Sequence, residues 1–452
     1  MDKVFAYIDR NFGRFVEELA AVCRIPSVSA QKKGLDDCAR HLVGAMKEIG
    51  LDARAMPMGG ADNPPLVYGR LDAPGARRTL FIYGHFDVQP PEPLDAWDTP
   101  PFEPTLKDGR MYGRGTGDNK GQFLAHLKAV EALQRSGRGV PLNLRILLDP
   151  QEEIGSPMLE PFVTSHAELF RADFGYNADG NAAEGNVPLL SFGNRGSCYV
   201  EVRVRTARRD VHSGQFGGPM PNAAWRLVEF LQTLRDEDGR PAIEGFFENV
   251  LPPTEADRRA LAAIPFNKEA WKKEVGVAEE AGPPGMGYFE KIMFQPTLSI
   301  CGLTSGYGGP GTKTVIPSQA SAKIDMRLVK NQTPPEIFEK FRAHARRRGF
   351  GDLEAVQLLT YHPSKTPLDH PMSEAVIAAV REVFGREPLL YPVTGGSNPS
   401  YIFNEILGIP MVKVPYGNYD EANHAPNENL DLDFFRRGIK TSAKVICDLA
   451  AL

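Results

Sequence analysis

Cysteine is sparse and unpatterned. The five residues, Cys23, Cys38, Cys198, Cys301 and Cys447, are scattered, odd in number and never in CxxC spacing. A disulfide framework or a thiolate metal site therefore has no basis here, and the thiols read as bystanders. Apolar runs approaching about 18 residues are missing too, so no membrane-spanning helix is expected. Positive charge is not in excess: 52 Lys and Arg stand against 57 Asp and Glu, a formal net charge of -5. That excludes the polybasic footprint by which nucleic acid or an anionic membrane would be bound. The N-terminus lacks a signal-peptide core; Phe5, Ile8, Phe12, Phe15 and Leu19 instead recur at helical spacing, and a cytoplasmic location is expected.

What is present is a globular composition, 42% hydrophobic and 24% charged over 452 residues, enough for two or three domains. Helical periodicity covers about 3–22 and 34–49. Short continuous apolar runs at 65–70, 80–83 and 142–148, with a helix after Lys120, predict an α/β fold on a mostly parallel sheet. The pattern then changes. Residues 197–206 alternate strictly, with Val200, Val202 and Val204 opposed by Glu201, Arg203 and Arg205. A second alternating run sets Lys323, Asp325 and Arg327 against Ile324, Met326 and Leu328. With helices near 222–234 and 335–347, this region reads as a split βαβ, a ferredoxin-like α+β lid. The expected organisation is a catalytic domain in two parts, 1–193 and 366–452, interrupted by a lid at 194–365. The stretch 236–295, rich in Pro, Gly and charge, receives no element.

In open parallel sheets ligands gather beyond the carboxyl ends of the strands, and each acidic or histidine cluster of this chain follows a strand-like run. The run 80–83 breaks at Gly84 into His85-Phe86-Asp87, where extended backbone turns His85 and Asp87 to one side. The carboxylate can then hold the imidazole's tautomer. Gly113-Arg-Gly-Thr-Gly-Asp118-Asn-Lys-Gly121 sets an acid in a glycine-rich turn at a helix start, where backbone can approach an ion. Asp149-Pro-Gln-Glu152-Glu153, Asn177-Ala-Asp179-Gly180 and Asn423-His424-Ala-Pro-Asn-Glu428 complete the set. A lone HxD pair is usually a core contact and adjacent glutamates usually a solvated surface; together, the clusters point to a binuclear metal site. Histidine and carboxylate without cysteine suit zinc, with manganese or cobalt as alternatives. One ion would take His85, Asp118 and Asp179, the other Asp118, Glu153 and His424, bridged by Asp118 at about 3.5–4 Å separation. Two divalent ions against three carboxylates leave roughly one positive charge, enough to favour a bridging hydroxide near neutral pH. Adjacent side chains diverge, so Glu152 stays available as general base.

The segments Tyr83-Gly-His-Phe-Asp-Val-Gln-Pro90, Gly113–Gly121, Glu152-Glu-Ile-Gly-Ser156 and Asn423–Glu428 resemble the signature of the M20 metallopeptidases, and within them the carnosinase-like dipeptidase branch, over nearly the whole chain. The resemblance implies two zinc or manganese ions on the same five ligands, with Asp87 as orienting partner, Glu152 as base, and a homodimer formed through the lid. It further implies that His212, in Asp210-Val-His-Ser-Gly214, reaches the partner subunit's site to stabilise the oxyanion. Arg327 would grip the substrate's C-terminal carboxylate, together with Gly396 and Ser397 of Thr394-Gly-Gly-Ser-Asn-Pro399. Lys313-Thr-Val-Ile-Pro317 matches a lid segment without an assigned role. The family's usual Asp-Asp-Lys-Gly stands here as Asp118-Asn119-Lys120-Gly121, which keeps the bridging acid. The expected activity is metal-dependent hydrolysis of dipeptides or small peptides with a free carboxyl terminus; the alternative on the same scaffold is an N-acyl-amino-acid deacylase. Retention of Glu152 and every ligand argues against a noncatalytic scaffold, and the lack of extra basic residues beside the motifs argues against a phosphoesterase.

Overall fold

The apolar run at 80–83 becomes the middle of a strand, Thr79–His85, buried from Leu80 onward. A strand covered on both faces needs apolar residues at every position, which is why the run is continuous rather than alternating. The computed structural model describes residues 1–60, 63–283 and 285–452, and these fall into two compact units.

The first unit comprises Met1–Gly193, Lys365–Pro392 and Pro399–Leu452. Its eight-stranded sheet runs, edge to edge, Asp52–Met56, Leu66–Leu71, Asn143–Asp149, Thr79–His85, Phe174–Asn177, Met411–Lys413, Leu189–Ser191 and Leu389–Tyr391. From Asn143–Asp149 to Met411–Lys413 neighbouring strands are parallel, with His85 opposite Asp149, Tyr83 opposite Asn177 and Asn177 opposite Lys413. The carboxyl ends of these strands therefore finish together. Helices Asp2–Cys23, Lys120–Arg135 and Leu432–Leu449 pack against one another, and Lys120–Arg135 is buried on all sides from Lys120 to Leu133. A small sheet, Thr105–Lys107, Arg110–Tyr112 and Asn429–Asp431, ties the chain before the glycine-rich turn to the chain after His424.

The second unit comprises Asn194–Ser364 and Val393–Asn398. Its four-stranded antiparallel sheet is ordered Thr297–Ser305, Gln319–Leu328, Gly196–Arg205, Glu354–Tyr361. The helices Ala223–Thr233 and Pro334–Arg347 fall between its first and second and its third and fourth strands in chain order, the ferredoxin-like arrangement. Leu227, Phe230, Ile337 and Phe341 from the helices bury Val200, Val202, Val204, Ile324 and Met326 of the sheet, so the valine alternation marks the covered face. Among the described residues, the stretch 236–295 holds three short helices, Glu255–Ala263, Lys268–Val275 and Tyr288–Phe294. Thr254 and Asp257 form a capping box on the first, and Asn267 caps the second. Helices of two turns show too little periodicity to be read, and here the caps and the Phe266–Tyr288 ring stack at 4.2 Å hold them.

Candidate metal centre and active site

The site begins at the end of the strand Thr79–His85. His85 Nδ1 faces the Asp87 main-chain oxygen at 3.2 Å and Asp87 Oδ1 at 3.4 Å. Two acceptors on that side place the ring proton on Nδ1 and leave Nε2 as a lone-pair donor. Nε2 points to Asp118 Oδ1 at 3.2 Å and Asp179 Oδ1 at 3.9 Å. Sheet register explains Asp179: with Tyr83 opposite Asn177, the residues two further on, His85 and Asp179, come level. Asp87 does a second job, its Oδ1 and Oδ2 accepting the main-chain N–H groups of Glu152 and Glu153 at 3.0 Å each. One buried carboxylate thus orients the imidazole and the turn that carries both glutamates.

Asp118 is held by an acid the sequence motifs contain without assigning it work. Glu428 is wholly buried and accepts main-chain N–H groups from Gly115, Gly117 and Asp118 at 3.0 Å each, and Arg114 Nη1 at 2.8 Å. The glycine-rich turn is wrapped around that carboxylate, as backbone amides wrap an anion. At Gly121 a Cβ would lie 2.2 Å from the Thr116 carbonyl oxygen, so only glycine fits. On the far side of Asp118, His424 Nε2 stands 3.0 Å from Asp118 Oδ2 and 3.2 Å from Glu153 Oε2. Gln89 Nε2 donates to Glu153 Oε2 at 2.9 Å.

Five side chains from distant sequence therefore meet as two groups, His85 with Asp118 and Asp179, and Asp118 with Glu153 and His424, the ligand atoms within each lying inside 4.8 Å of one another. Asp118 belongs to both and gives one oxygen to each. Its electrostatics follow: burial opposes ionisation, but the two imidazoles hold the carboxyl below its usual range. Burial likewise disfavours a charged His85, and Asp118, Asp179 and Asp87 outweigh it, so its affinity for a proton rises. His424 is pushed up to about 10 by Asp118 and Glu153. Glu152 is pushed up to about 8, first by burial and then by Asp179, Asp118 and Glu153, with His85 opposing. Its carboxyl has no hydrogen bond or ion pair among the described residues.

The donor set fits a pair of divalent cations. Each group offers an imidazole nitrogen and carboxylate oxygens without a thiolate, the ligands of zinc or manganese. The surroundings are short of positive charge: beyond the five candidate ligands lie Glu152 and Glu421, and among the described residues neither Glu421 oxygen has a hydrogen-bond partner. Burial, then Asp118, Glu428 and Asp179, push the Glu421 carboxyl well above the usual range. So dense an acidic cluster is tolerable where cations balance it. Lys413 Nζ, 3.7 Å from Asp179 Oδ2, supplies only part of that balance.

Asn119, at the position where the resemblance expects a second acid, is fully buried and donates from Nδ2 to the Ala178 carbonyl at 2.7 Å and to Asp179 Oδ1 at 3.4 Å. The peptide joining it to Asp118 is cis. The amide braces a ligand with a donor, a role a carboxylate could not fill without a proton. Gln89, Lys413 and Glu421 escaped sequence reasoning, and Asn119 was visible only as a departure from the expected acid, because their partners are set by tertiary approach; the one signal for Gln89 was its nearness to the motif histidine.

The remaining sequence candidates lie in the second unit. Arg327 Nε donates to Asp325 Oδ2 at 2.7 Å, and its Nη1 to Ser397 Oγ at 3.2 Å. A Cβ on Gly396 would meet nothing within 4 Å, so the loop is open there. His212 is exposed; its Nδ1 accepts the Gly214 N–H at 3.0 Å and its Nε2 faces Thr314 Oγ1 at 3.2 Å.

Comparison with known proteins places this geometry. Residues 81–448 match the model of peptidase family M20/M25/M40. The Cys-Gly metallodipeptidase dug1 of Schizosaccharomyces pombe is 30% identical over 472 aligned positions, covering 100% of this chain and 99% of the relative. Among solved structures, an M20 family metallo-carboxypeptidase, Sso-CP2 from Sulfolobus solfataricus, superposes with a TM-score of 0.86 at 31% identity, over 97% of this chain and 99% of the other. Human carnosine dipeptidase 1 does so with a TM-score of 0.77 at 29% identity, over 100% and 99%. With identity sustained end to end and a fold shared over nearly every residue, the chain belongs to peptidase family M20/M25/M40 and is a hydrolase of the metallopeptidase class.

Proposed function

We propose that the protein hydrolyses the amide bond of dipeptides and other small peptides that carry a free C-terminal carboxylate, using two divalent ions. The observation that carries this reading is the division of Asp118, one oxygen toward His85 and the other toward His424, so that a single carboxylate could help to hold both cations. His85 and Asp179 would complete one ion's protein ligands, Glu153 and His424 the other's, with zinc the first candidate and manganese or cobalt next. When bound, the ions would polarise the scissile carbonyl and acidify water so that it attacks near neutral pH.

The chain's own groups supply the rest. Glu152, its main-chain N–H anchored on Asp87 Oδ1, takes the proton of the attacking water and passes it to the leaving amine. Asp87 keeps His85 in its tautomer. Arg327, Ser397 and Gly396 receive the substrate's carboxylate, for which a guanidinium fork is suited. His212 stabilises the oxyanion; because its Nδ1 accepts from Gly214, its Nε2 holds the proton needed to donate. In this reading His212 serves the partner subunit, in a homodimer formed through the lid sheet. The edge strand Thr297–Ser305 supports that pairing, with Ile300 50% and Leu303 57% exposed. Two of the similar proteins are named as dipeptidases and one as a metallo-carboxypeptidase, which supports a small-peptide substrate. No helix among the described residues is long and apolar enough to cross a membrane. The five cysteines are free, as a reducing cytoplasm would keep them.

The test is turnover of a mixed dipeptide library by metal-stripped protein, before and after adding zinc or manganese, read by mass spectrometry beside N-acetylated amino acids. Metal-restored cleavage of dipeptides is expected. Cleavage confined to the acetylated compounds moves the assignment to a deacylase, and cleavage of neither overturns the reading.

A further inference from the structure

Within the second unit, Arg195 is built into the loop that contains Gly396 and Ser397. Its main-chain N–H donates to the Thr394 oxygen at 3.1 Å, its carbonyl accepts from Ser397 Oγ at 2.7 Å, and its Nε donates to the Gly395 oxygen at 3.1 Å. Ser397 Oγ is also the acceptor for Arg327 Nη1, so one hydroxyl joins the two arginines. The arginines differ in their charge balance. Arg327 is already paired, Nε to Asp325 Oδ2 at 2.7 Å, and Asp325 is held on its other oxygen by Ser197 Oγ at 3.0 Å. Arg195 has no carboxylate within ion-pair distance among the described residues, and only Nε of its guanidinium is bonded.

We propose that Arg195 is the residue that gives this subsite its affinity for the substrate's C-terminal carboxylate, while Asp325 neutralises Arg327 and leaves Arg327 to fix the carboxylate's orientation. The inference rests on the carboxylate-binding reading above. Two guanidiniums and one carboxylate leave a single positive charge, the complement of one carboxylate. That charge is assigned to Arg195 because Asp325 is in ion-pair contact with Arg327 alone; burial and then Arg327 lower the Arg195 guanidinium to about 10, with Asp325 opposing, so a further anion is welcome there. A half-buried cation without an ion-pair partner is costly, and an incoming anion offsets that cost. Room for the ligand exists at Gly396, while Gly395 keeps the loop close to Arg195: a Cβ there would come within 2.9 Å of Ile292 Cγ2 and 3.5 Å of Arg195 Nη2.

The experiment compares steady-state kinetics of the metal-loaded enzyme, Arg195→Gln, Arg195→Lys and Asp325→Asn on one dipeptide and its C-terminal amide. A charged hydrogen-bonded contact is worth roughly 10- to 100-fold. Arg195→Gln should therefore raise KM for the free acid by that factor with kcat within about threefold, and leave KM for the amide nearly unchanged. Arg195→Lys should restore much of the loss. Asp325→Asn, which frees the charge of Arg327, should lower KM for the acid, a change of opposite sign that a merely structural role for Arg195 cannot produce. Equal losses on acid and amide, or a rise in KM for Asp325→Asn like that for Arg195→Gln, overturn the proposal. If the unaltered enzyme itself cleaves acid and amide equally well, it is the underlying carboxylate reading that fails.

Discussion

Glu152 and Glu153 are chemically identical neighbours that the fold sends to different tasks. Both main-chain N–H groups sit on Asp87, but Glu153 meets His424 and Gln89, while the Glu152 carboxyl is left without a partner among the described residues. Glu152→Gln should therefore bind its full metal complement, by elemental analysis, and lose about 100- to 10,000-fold in kcat. Near-normal turnover would sink the assignment of the base. His126 makes a different kind of prediction. It is fully buried between Tyr176 and Tyr416, with Nδ1 2.8 Å from Ser442 Oγ, and burial drives it down to about 3. Its folded value lies below the unfolded value of about 6.5, so as pH falls the unfolded chain takes the proton first, and stability is lost from about pH 6.5 downward. Urea denaturation of metal-free protein should show about 2 kcal/mol lost to this residue between pH 6.5 and 5. His126→Gln should reduce the pH-dependent loss by that amount, and an unchanged pH slope would show that the fold does not shift this histidine.

At the scale of elements, the glycine-rich turn before the helix Lys120–Arg135 is shaped by Glu428 rather than by its own glycines alone. Three main-chain N–H groups and Arg114 converge on that carboxylate. Glu428→Gln would turn an amide N–H₂ toward donors and strip Arg114 of its only salt-bridge partner among the described residues. A loss of about 2–4 kcal/mol in chemical denaturation is expected, with weaker metal binding by calorimetry because Asp118 is no longer held. Stability within 0.5 kcal/mol or so of the parent would show that the turn needs no anion. Lys120, at the other end of the same motif, acts similarly on a neighbouring element: buried, it donates to the carbonyl oxygens of Val22 and Ile25 at the end of the helix Asp2–Cys23. A cation on helix-terminal carbonyls is favoured by the helix dipole as well as by hydrogen bonding.

For the whole molecule, the acidic cluster couples metal to folding. Cations bind the folded chain and stabilise it by about 2.7 kcal/mol at a hundredfold excess over Kd, so a chelator should lower Tm and added zinc should raise it. The two groups differ in access: the His85 side chain is 2% exposed and that of His424 54%. Metal removal followed by a chromogenic chelator should accordingly be biphasic, the fast phase disappearing in His424→Ala; a single phase unaffected by that change would contradict the asymmetry. For the proposed homodimer, Leu303→Lys on the edge strand Thr297–Ser305 should give a monomer in sedimentation where the parent gives a dimer, with unchanged circular dichroism, since a charge on an exposed edge opposes strand pairing, and a monomeric parent would overturn the pairing itself.

The sequence alone was enough for the elements whose burial is uniform along a face. Continuous apolar runs marked the parallel strands, alternation marked the antiparallel sheet of the second unit, and the histidine and acid clusters were visible because each follows a strand-like run. It was silent on 236–295, where seven- to nine-residue helices are held by Thr254, Asn267 and a ring cluster, and it gave no role to Glu428, Gln89, Asn119 or Arg195. Spacing along a chain reports which residues share a strand or helix face; it carries nothing about which oxygen of a carboxylate meets which imidazole. The level strand ends, His85 beside Asp149 and Asn177 beside Lys413, and the turn wrapped on Glu428 brought Asp118 between two histidines, and only close approach in three dimensions left Arg195 half-buried without an acid in ion-pair contact among the described residues while Arg327 received Asp325.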